Sequence, residues 1–248
     1  MLSIFPVSGL PIIAPGDRLV DLLADRLRPL GPRQGDVLVV TSKIVSKAEG
    51  RFVNLRTVTP GTEARTLAAK VDKDPRLVQV ILDESAAVSR ARGRVLIMRH
   101  RLGFICANAG VDHSNTSTDP DIVLLLPKDP DASARALRDG LARTLGVRMP
   151  IVLADSHGRP HRGGAIGAAI GLCGLPGVED WRGREDLFGV ALQHTEVGLG
   201  DMIATAATLV MGQAAEGTPA ALVRGVIHDG RDGSAAEIIR PPERDLFS

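Results

Sequence analysis

Four stretches of the chain place apolar residues at the spacing of a helix face. The first covers residues 17–27, with Asp17 in the position of an N-cap. The second begins at Asp74-Pro75, an N-cap followed by proline at the first helical position, and continues as far as Val88. The other two cover residues 137–145 and 201–210, the latter with Asp201 as its N-cap. The pattern therefore predicts four helices distributed along the chain.

Short runs of aliphatic and β-branched residues between these helices indicate strands. Residues 95–98 and 104–107 flank Arg101-Leu102-Gly103, which predicts a hairpin. Further strands are expected at residues 37–40, 122–126, 151–153 and 220–224. Because helices and strands interleave and a hairpin is included, the pattern favours a mixed α and β (α+β) fold over a regular doubly wound sheet. A run rich in Gly and Ala at residues 163–174 allows another backbone to approach closely.

The composition limits the classes of protein to which the chain can belong. Its 248 residues, 44% of them hydrophobic, are enough for a single domain over residues 1–248, built as one unit or as two intertwined lobes. Lys and Arg total 30 against 29 for Asp and Glu, so no excess charge favours nucleic acid or a membrane as a partner. Aromatic residues make up 2%, too few to stack the bases of a single strand. No segment has the pattern of a signal peptide or a membrane span, so a cytoplasmic protein is expected.

Two aspartates stand beside short polar residues at the ends of apolar stretches. Asp112 is followed by Ser114 and Asn115, and Asp155 is followed by Ser156. Each segment alone is typical of a turn or a helix cap. Two carboxylates with hydroxyl and amide oxygens nearby also suit Mg²⁺ or Mn²⁺, which prefer oxygen ligands to sulfur. Asp112 and Asp155 are therefore candidate metal ligands and catalytic residues.

A pair of lysines adds candidate phosphate-binding groups. Lys43 and Lys47 follow the predicted strand at residues 37–40, and ligands often gather where such strands end. A solvated helix face is the alternative, because most lysines are of that kind. The sequence Gly-x-x-x-x-Gly-Lys-Ser/Thr does not occur in the chain, so a phosphate site here would differ from a P-loop.

Histidines and arginines near the aspartates offer further candidates. His113, His157 and His161 raise a zinc site as an alternative, but they lack the fixed helical spacing of a zinc-binding pair, which favours ordinary loop histidines. Arg159 and Arg162 are candidates for holding the carboxylate or phosphodiester oxygens of a substrate through bidentate contacts. Surface arginines in a glycine-rich loop are the alternative for these two residues.

Five motifs occur in one order along the chain and together resemble a known family. They begin at Leu10, Thr41, Gly110, Asp155 and Leu209, and they read LPII, TSKIVSKAEGR, GVDxSN, DSxGR and LVMGQ. The family they resemble is the coenzyme F420-0:L-glutamate ligases, the gamma-glutamyl ligases of deazaflavin cofactor synthesis, in the stand-alone form without a flavin-binding reductase domain. The resemblance extends over nearly the whole chain. It implies a two-lobed fold in an intertwined homodimer.

The same resemblance implies GTP as co-substrate and two divalent ions, Mg²⁺ or Mn²⁺, with K⁺ as an additional candidate. Asp112 and Asp155 would hold one ion, while Ser156 and Gln213 would help to hold the second. Without the resemblance, Gln213 would be interpreted as an ordinary residue at the end of a helix. The positions that would bind GTP are Leu10, Pro11, Ile12, Ile13, Ser42, Lys43, Lys47, Asn115, Met211, Gly212, Gln213, Ala214, Ala215, Glu216, Gly217 and Thr218.

The function implied by the resemblance is GTP-dependent addition of L-glutamate to coenzyme F420-0 through an acyl phosphate, followed by further glutamates in gamma linkage. All partners would then be small molecules, apart from a second copy of the chain. Two other functions use the same residues. A metal-dependent phosphohydrolase would use water as the nucleophile, and a regulatory protein would bind GTP without catalysing a reaction. Dependence of GDP formation on both acceptors separates the ligase from the other two.

Overall fold

Twelve strands and six α-helices lie within residues 1–245, the part of the chain that this computed structural model describes. The strands are β1 (Ser3–Val7), β2 (Val37–Thr41), β3 (Phe52–Asn54), β4 (Ser85–Arg92), β5 (Val95–His100), β6 (Ile105–Ala107), β7 (Ile122–Leu124), β8 (Ile151–Arg159), β9 (Arg162–Cys173), β10 (Glu179–Asp180), β11 (Glu196–Val197) and β12 (Ala220–Arg224). The helices are α1 (Leu19–Leu27), α2 (Ser42–Ala48), α3 (Thr62–Val71), α4 (Pro75–Asp83), α5 (Pro130–Leu145) and α6 (Leu199–Met211). The predicted mixed α and β fold is confirmed.

A five-stranded sheet in the order β1-β12-β2-β8-β9 is the largest element of the fold. Only β2 and β8 are parallel neighbours, and the other pairs are antiparallel. Alternate side chains of each strand enter different cores, because successive residues of a strand point to opposite faces. Leu38 and Val40 pack with α1 and α5, whereas Val37 and Val39 pack with α6. Burial of both faces of β2 explains why its sequence is a continuous apolar run.

A second group of elements has a core of its own. The antiparallel sheet β4-β5-β6 and the ribbon β3-β7 pack with α3 and α4 around Val78, Ile81, Leu96 and Met98. The hairpin predicted around residues 101–103 is confirmed, since β5 and β6 pair across it. None of the helices in the described range combines the length and the apolar character needed to span a bilayer.

Two of the three predicted N-caps are wrong. Asp17 precedes α1 without capping it, and its carboxylate accepts a hydrogen bond from the Ala14 N–H at 2.8 Å. Asp201 lies in the first turn of α6, where its carboxylate accepts from the Ala169 N–H at 2.8 Å. Both carboxylates thus bond to a donor outside their own helix. Asp74 is the N-cap of α4, as predicted, and accepts from the Arg76 N–H at 2.8 Å.

Several predicted element bounds also need correction. α4 ends at Asp83, so Val88 is 40% exposed on β4 and does not extend the helix face. The strand expected at residues 122–126 ends at Leu124. Conversely, β8 continues beyond the apolar run to Arg159, because the Gly- and Ala-rich run forms β9 and pairs with it. Asp155 therefore lies inside a strand and not after its end.

Glycines on β9 allow helices to lie directly against the sheet. A Cβ on Gly171 would lie 2.5 Å from Pro130 Cβ and 2.7 Å from the Pro130 carbonyl oxygen, at the start of α5. A Cβ on Gly167 would lie 2.5 Å from the Ala204 carbonyl oxygen of α6. The close backbone approach expected from the Gly- and Ala-rich run is confirmed at these two positions.

Gly171→Ala is expected to lower the free energy of unfolding by about 1–3 kcal/mol, because the added methyl group must displace backbone. The measurement is urea denaturation of the variant beside wild type. Gly163→Ala is the matched control on the same strand, since a Cβ there meets nothing within 4 Å. Equal stability of the two variants would contradict the close packing of α5 on β9.

Candidate active site

A cavity of about 1060 Å³ lies at one edge of the five-stranded sheet. β1 and β2 end at this edge, β12 begins there, and β8 passes it, since β12 is antiparallel to β1 and β2. The wall is formed by segments that follow β1, begin α2, follow α6 and connect β6 to β7. Edges of this kind, where parallel strands end, commonly bind ligands.

The cavity brings together all but three of the residues expected to bind metal, GTP or substrate. Ser42 lies behind the wall, where it is buried and contacts Asp155. Arg159 and Arg162 lie outside the wall, on the hairpin between β8 and β9. The candidate residues that line the cavity are Leu10, Pro11, Ile12, Ile13, Lys43, Lys47, Asp112, Asn115, Asp155, Ser156, Met211, Gly212, Gln213, Ala214, Ala215, Glu216, Gly217 and Thr218.

Two consecutive residues at the start of α2 hold the two candidate carboxylates. Ser42 Oγ donates to Asp155 Oδ1 at 2.9 Å, and Lys43 Nζ donates to Asp112 Oδ2 at 2.6 Å. The helix begins here because Thr41, its N-cap, accepts a hydrogen bond from the Lys43 N–H through its side chain. The junction between β2 and α2 therefore positions a carboxylate from β8 and another from the segment after β6 at one edge.

The ionisation of Asp112 is controlled by its neighbours. Burial raises the pKa of this carboxyl group, but the hydrogen bond and charge of Lys43 and the hydrogen bonds from Ser114 outweigh burial, so that the pKa lies below its usual range. Ser114 donates to Asp112 Oδ1 through its backbone N–H at 2.7 Å. The carboxylate is therefore charged at neutral pH, as a ligand of a divalent cation must be.

Lys47 adds a second positive charge to the wall beside Lys43. Burial lowers the pKa of Lys47, and the charge of Lys43 lowers it further. Only 8% of Lys47 is exposed, yet its ammonium makes no hydrogen bond within residues 1–245. A buried cation next to another cation is costly unless an anion binds there. A bound anion would offset this cost.

The second oxygen of Asp155 faces a histidine. His157 Nε2 lies 3.1 Å from Asp155 Oδ2, within ion-pair distance, although the ring is not oriented for a hydrogen bond, and Nε2 has no hydrogen-bond partner. Phe104 packs between His157 and His100, with centroid distances of 5.2 Å and 5.0 Å. Within residues 1–245, no group of three or more His, Cys, Asp or Glu side chains is arranged to hold a metal ion. The zinc alternative therefore has no ligand set in this range.

The segment after α6 forms part of the cavity wall, and two hydrogen bonds connect it to other wall residues. Ser156 Oγ donates to Gln213 Oε1 at 2.6 Å, and Asn115 Nδ2 donates to the Ala214 carbonyl oxygen at 2.7 Å. Glu216 stabilises the turn by accepting from the Ala214 N–H at 2.8 Å. Ser156 and Gln213, which the family resemblance assigns to the second ion, are thus direct neighbours.

The donor set at the cavity consists of oxygen atoms. Two carboxylates, one hydroxyl and one amide oxygen fit Mg²⁺ or Mn²⁺, both of which leave coordination positions for water and phosphate. The ammonium of Lys43 also contacts Asp112 at the place where a cation is expected. This observation supports a cation-binding role for Asp112, and the residues present fit the implied ions.

Several wall residues carry no signal in the sequence. Asn108 and residues 116–118 line the cavity, but the patterns that predict helices, strands and metal sites pass over them. Asn108, Ala109 and Gly110 have φ values of +52°, +50° and +67°, a left-handed turn that composition and spacing do not indicate for alanine. The string Asn108-Ala109-Gly110, directly before Val111-Asp112, is the only local hint of a turn in the sequence there.

Comparison with known proteins assigns the chain to a family of ligases. The family described as F420-0:gamma-glutamyl ligase matches residues 9–225, and the chain belongs to this family. A relative from Methanopyrus kandleri, named coenzyme F420:L-glutamate ligase, is 45% identical over 99% of this chain and 97% of its own length. Relatives of the same name from Methanothermobacter thermautotrophicus and Archaeoglobus fulgidus are each 40% identical over 99% of this chain. The matched region covers 98% of the first of these relatives and 96% of the second. The resemblance found in the sequence is thereby confirmed, and the chain is a ligase.

Proposed function

We propose that this enzyme joins L-glutamate to coenzyme F420-0 with GTP as the phosphoryl donor, and then adds further glutamates in gamma linkage. The names of its relatives, coenzyme F420:L-glutamate ligase, support the deazaflavin coenzyme and L-glutamate as the two substrates that are joined. The observation that carries the rest of the proposal is the pairing at the start of α2. Lys43 and Ser42 hold Asp112 and Asp155 beside Lys47, on the wall of a cavity with room for more than one substrate.

The chemistry requires an activated carboxyl group, because amide formation from a free carboxylate is uphill in water. In the first step, a carboxylate oxygen of the acceptor attacks the γ-phosphorus of GTP, and the bond to GDP breaks with its electron pair going to GDP. The glutamate amine then attacks the carbonyl carbon of the acyl phosphate. Phosphate leaves with the electron pair of the C–O bond and takes up the proton lost by the nitrogen. Such transfers depend mainly on positioning and on charge neutralisation.

Different residues of the cavity bind the phosphates, the divalent ions and the nucleotide. Lys43 and Lys47 bind the phosphates, and Asp112 and Asp155 hold one divalent ion. Ser156 and Gln213 help to hold a second ion, with K⁺ as an additional candidate in the site. When bound, Mg²⁺ or Mn²⁺ neutralises the charge of the phosphoryl group that is transferred. The nucleotide lies along residues 10–13, Asn115 and residues 211–218, all of which line the cavity.

Arg159 and Arg162 would bind the part of the substrate that extends out of the cavity. They lie opposite each other at the end of the hairpin between β8 and β9, and the Arg159 side chain donates to the Gly163 carbonyl oxygen at 3.3 Å. Carboxylates of a growing glutamate chain, or a phosphodiester, are groups that such a pair can hold.

We also propose two lobes and an intertwined homodimer. The separate core around Leu96 and Met98 supports a second lobe beside the five-stranded sheet. Apolar side chains exposed near one another in sequence, Leu187, Phe188 and Val190, support burial against a partner. Light scattering at assay concentration is expected to give the mass of a dimer. A fully active monomer would contradict the dimer.

Acceptor dependence tests the ligase against its alternatives. GDP should form at a substantial rate only when coenzyme F420-0 and L-glutamate are both present. A phosphohydrolase would form GDP with water alone, and a GTP-binding regulatory protein would form none under any condition. Either result would contradict the proposed ligation.

A further inference from the structure

Three consecutive residues beside the cavity have left-handed backbone conformations, and the first and third of them line it. Asn108, Ala109 and Gly110 follow β6 directly, and their φ values lie between +50° and +67°. Glycine adopts this region freely and asparagine tolerates it, but alanine does so at an energetic cost, because its Cβ crowds the following carbonyl group. Strain of this kind persists where the surroundings enforce it, and it is concentrated at functional sites.

The surroundings fix this turn in one conformation. Ala109 is 1% exposed and belongs to the core that contains α3 and α4. The Val111 N–H donates to the Asn108 carbonyl oxygen at 3.0 Å. Gly110 is so close to Leu126 that a Cβ would lie 2.5 Å from Leu126 Cδ1. The backbone from which the Asn108 side chain extends is therefore fixed by packing of the two residues that follow it.

The amide of Asn108 is not used by the fold. Asn108 lines the cavity, and its Oδ1 is buried without a hydrogen-bond partner among residues 1–245. Its Nδ2 likewise makes no hydrogen bond to any residue in the range 1–245. Asparagine in a turn usually bonds to the backbone nearby, as Asn54 does with the Arg56 N–H at 2.9 Å. Because Oδ1 is buried, Nδ2 is the atom of this amide that is available to a ligand.

The position of Asn108 in the cavity determines which part of a ligand its side chain can contact. It lies four residues before Asp112 on one strand-to-strand connection. β6, which ends directly before Asn108, packs against β8, the strand that carries Asp155. Asn108 is thus on the part of the wall that carries both carboxylates, where the reacting groups meet in the proposed function.

We infer that the Asn108 amide contacts the acyl group of the acceptor and stabilises it during amide formation. This inference rests on the proposed function. When the glutamate amine attacks the acyl phosphate, the carbonyl π electrons move to the oxygen, and the negative charge then returns as phosphate leaves. Lys43 and Lys47 are charged and serve phosphates in the proposed function, and the neutral amide of Asn115 already donates to the Ala214 carbonyl oxygen. A neutral N–H donor such as Asn108 Nδ2 can stabilise the new oxyanion without binding a metal, and asparagine is one of the side chains that enzymes use in this way.

Asn108→Gly tests the inference, because glycine keeps the left-handed backbone and removes only the amide. We expect kcat for amide formation to fall roughly 100- to 1000-fold, the usual cost of losing one such donor, while the KM for GTP changes less than about threefold. Asn108→Asp keeps the shape of the side chain but removes its N–H donors, and it should lose activity to a similar extent. Thermal denaturation of both variants checks that the fold is retained.

Three outcomes would overturn the inference. An active Asn108→Gly variant would show that asparagine serves only the backbone conformation. An active Asn108→Asp variant would show that no N–H donor is needed. A raised KM for GTP with unchanged kcat would show that Asn108 contacts the nucleotide and not the acyl group. Wild-type enzyme is assayed in parallel with coenzyme F420-0, GTP and L-glutamate, and absence of amide product there would reject the proposed function itself.

Discussion

Asp155→Asn is expected to abolish ligation, with a loss of activity on the order of a thousandfold, while the protein remains folded. The carboxylate lies on a strand of the central sheet, where Ser42 donates to one oxygen and His157 approaches the other. Asparagine keeps an oxygen that can accept from Ser42, so the packing is preserved and only the negative charge is lost. The measurement is the rate of GDP and amide formation at limiting metal, together with a denaturation curve.

The control for this prediction is a carboxylate outside the cavity. Asp25→Asn removes a charge from the exposed face of α1, where Asp25 pairs only with Arg28, and such surface pairs contribute little. Its activity should equal that of wild type. Near wild-type turnover of Asp155→Asn would show that the site is wrongly assigned. An unfolded Asp155→Asn variant would show that the carboxylate is structural.

Lys47→Ala is expected to raise the KM for GTP by roughly 10- to 100-fold, with a much smaller effect on the KM for glutamate. This range corresponds to the loss of one hydrogen bond to a charged group. Lys47 is buried beside Lys43, and a phosphate group would offset the cost of both charges. Steady-state kinetics with each substrate varied in turn measure the two constants.

Lys47→Met separates charge from size, because methionine fills the space of the lysine stem without its ammonium. It should resemble Lys47→Ala in KM for GTP. Lys70→Ala, on the exposed face of α3, is the matched lysine control and should leave both constants unchanged. A Lys47 variant that loses glutamate affinity and keeps GTP affinity would place this residue on the acceptor side.

Much of the secondary structure follows from local patterns in the sequence. The run at residues 37–40 predicts β2 because both of its faces are buried, and Asp74-Pro75 predicts α4 because cap and proline act locally. Asp17 and Asp201 show the limit of such reasoning. The donors that their carboxylates contact lie outside the helix that each was expected to cap.

The site could be predicted only in part, because its contacts join distant positions. Lys43 and Asp112 are 69 positions apart, and Asn115 and Ala214 are 99 positions apart, so no periodicity connects them. The resemblance to a family supplied these positions, and the structure places most of them around one cavity. Asn108 was missed because its role depends on a strained turn that the core imposes from the other side.

The mass of the reaction product tests the central claim most directly. Purified protein is incubated with coenzyme F420-0, GTP, L-glutamate, Mg²⁺ or Mn²⁺ and K⁺, and the deazaflavin product is analysed by mass spectrometry. The proposed function predicts a product heavier than coenzyme F420-0 by one or more glutamyl residues, with one GDP formed for each residue added. GTP consumption with coenzyme F420-0 left unchanged would contradict it.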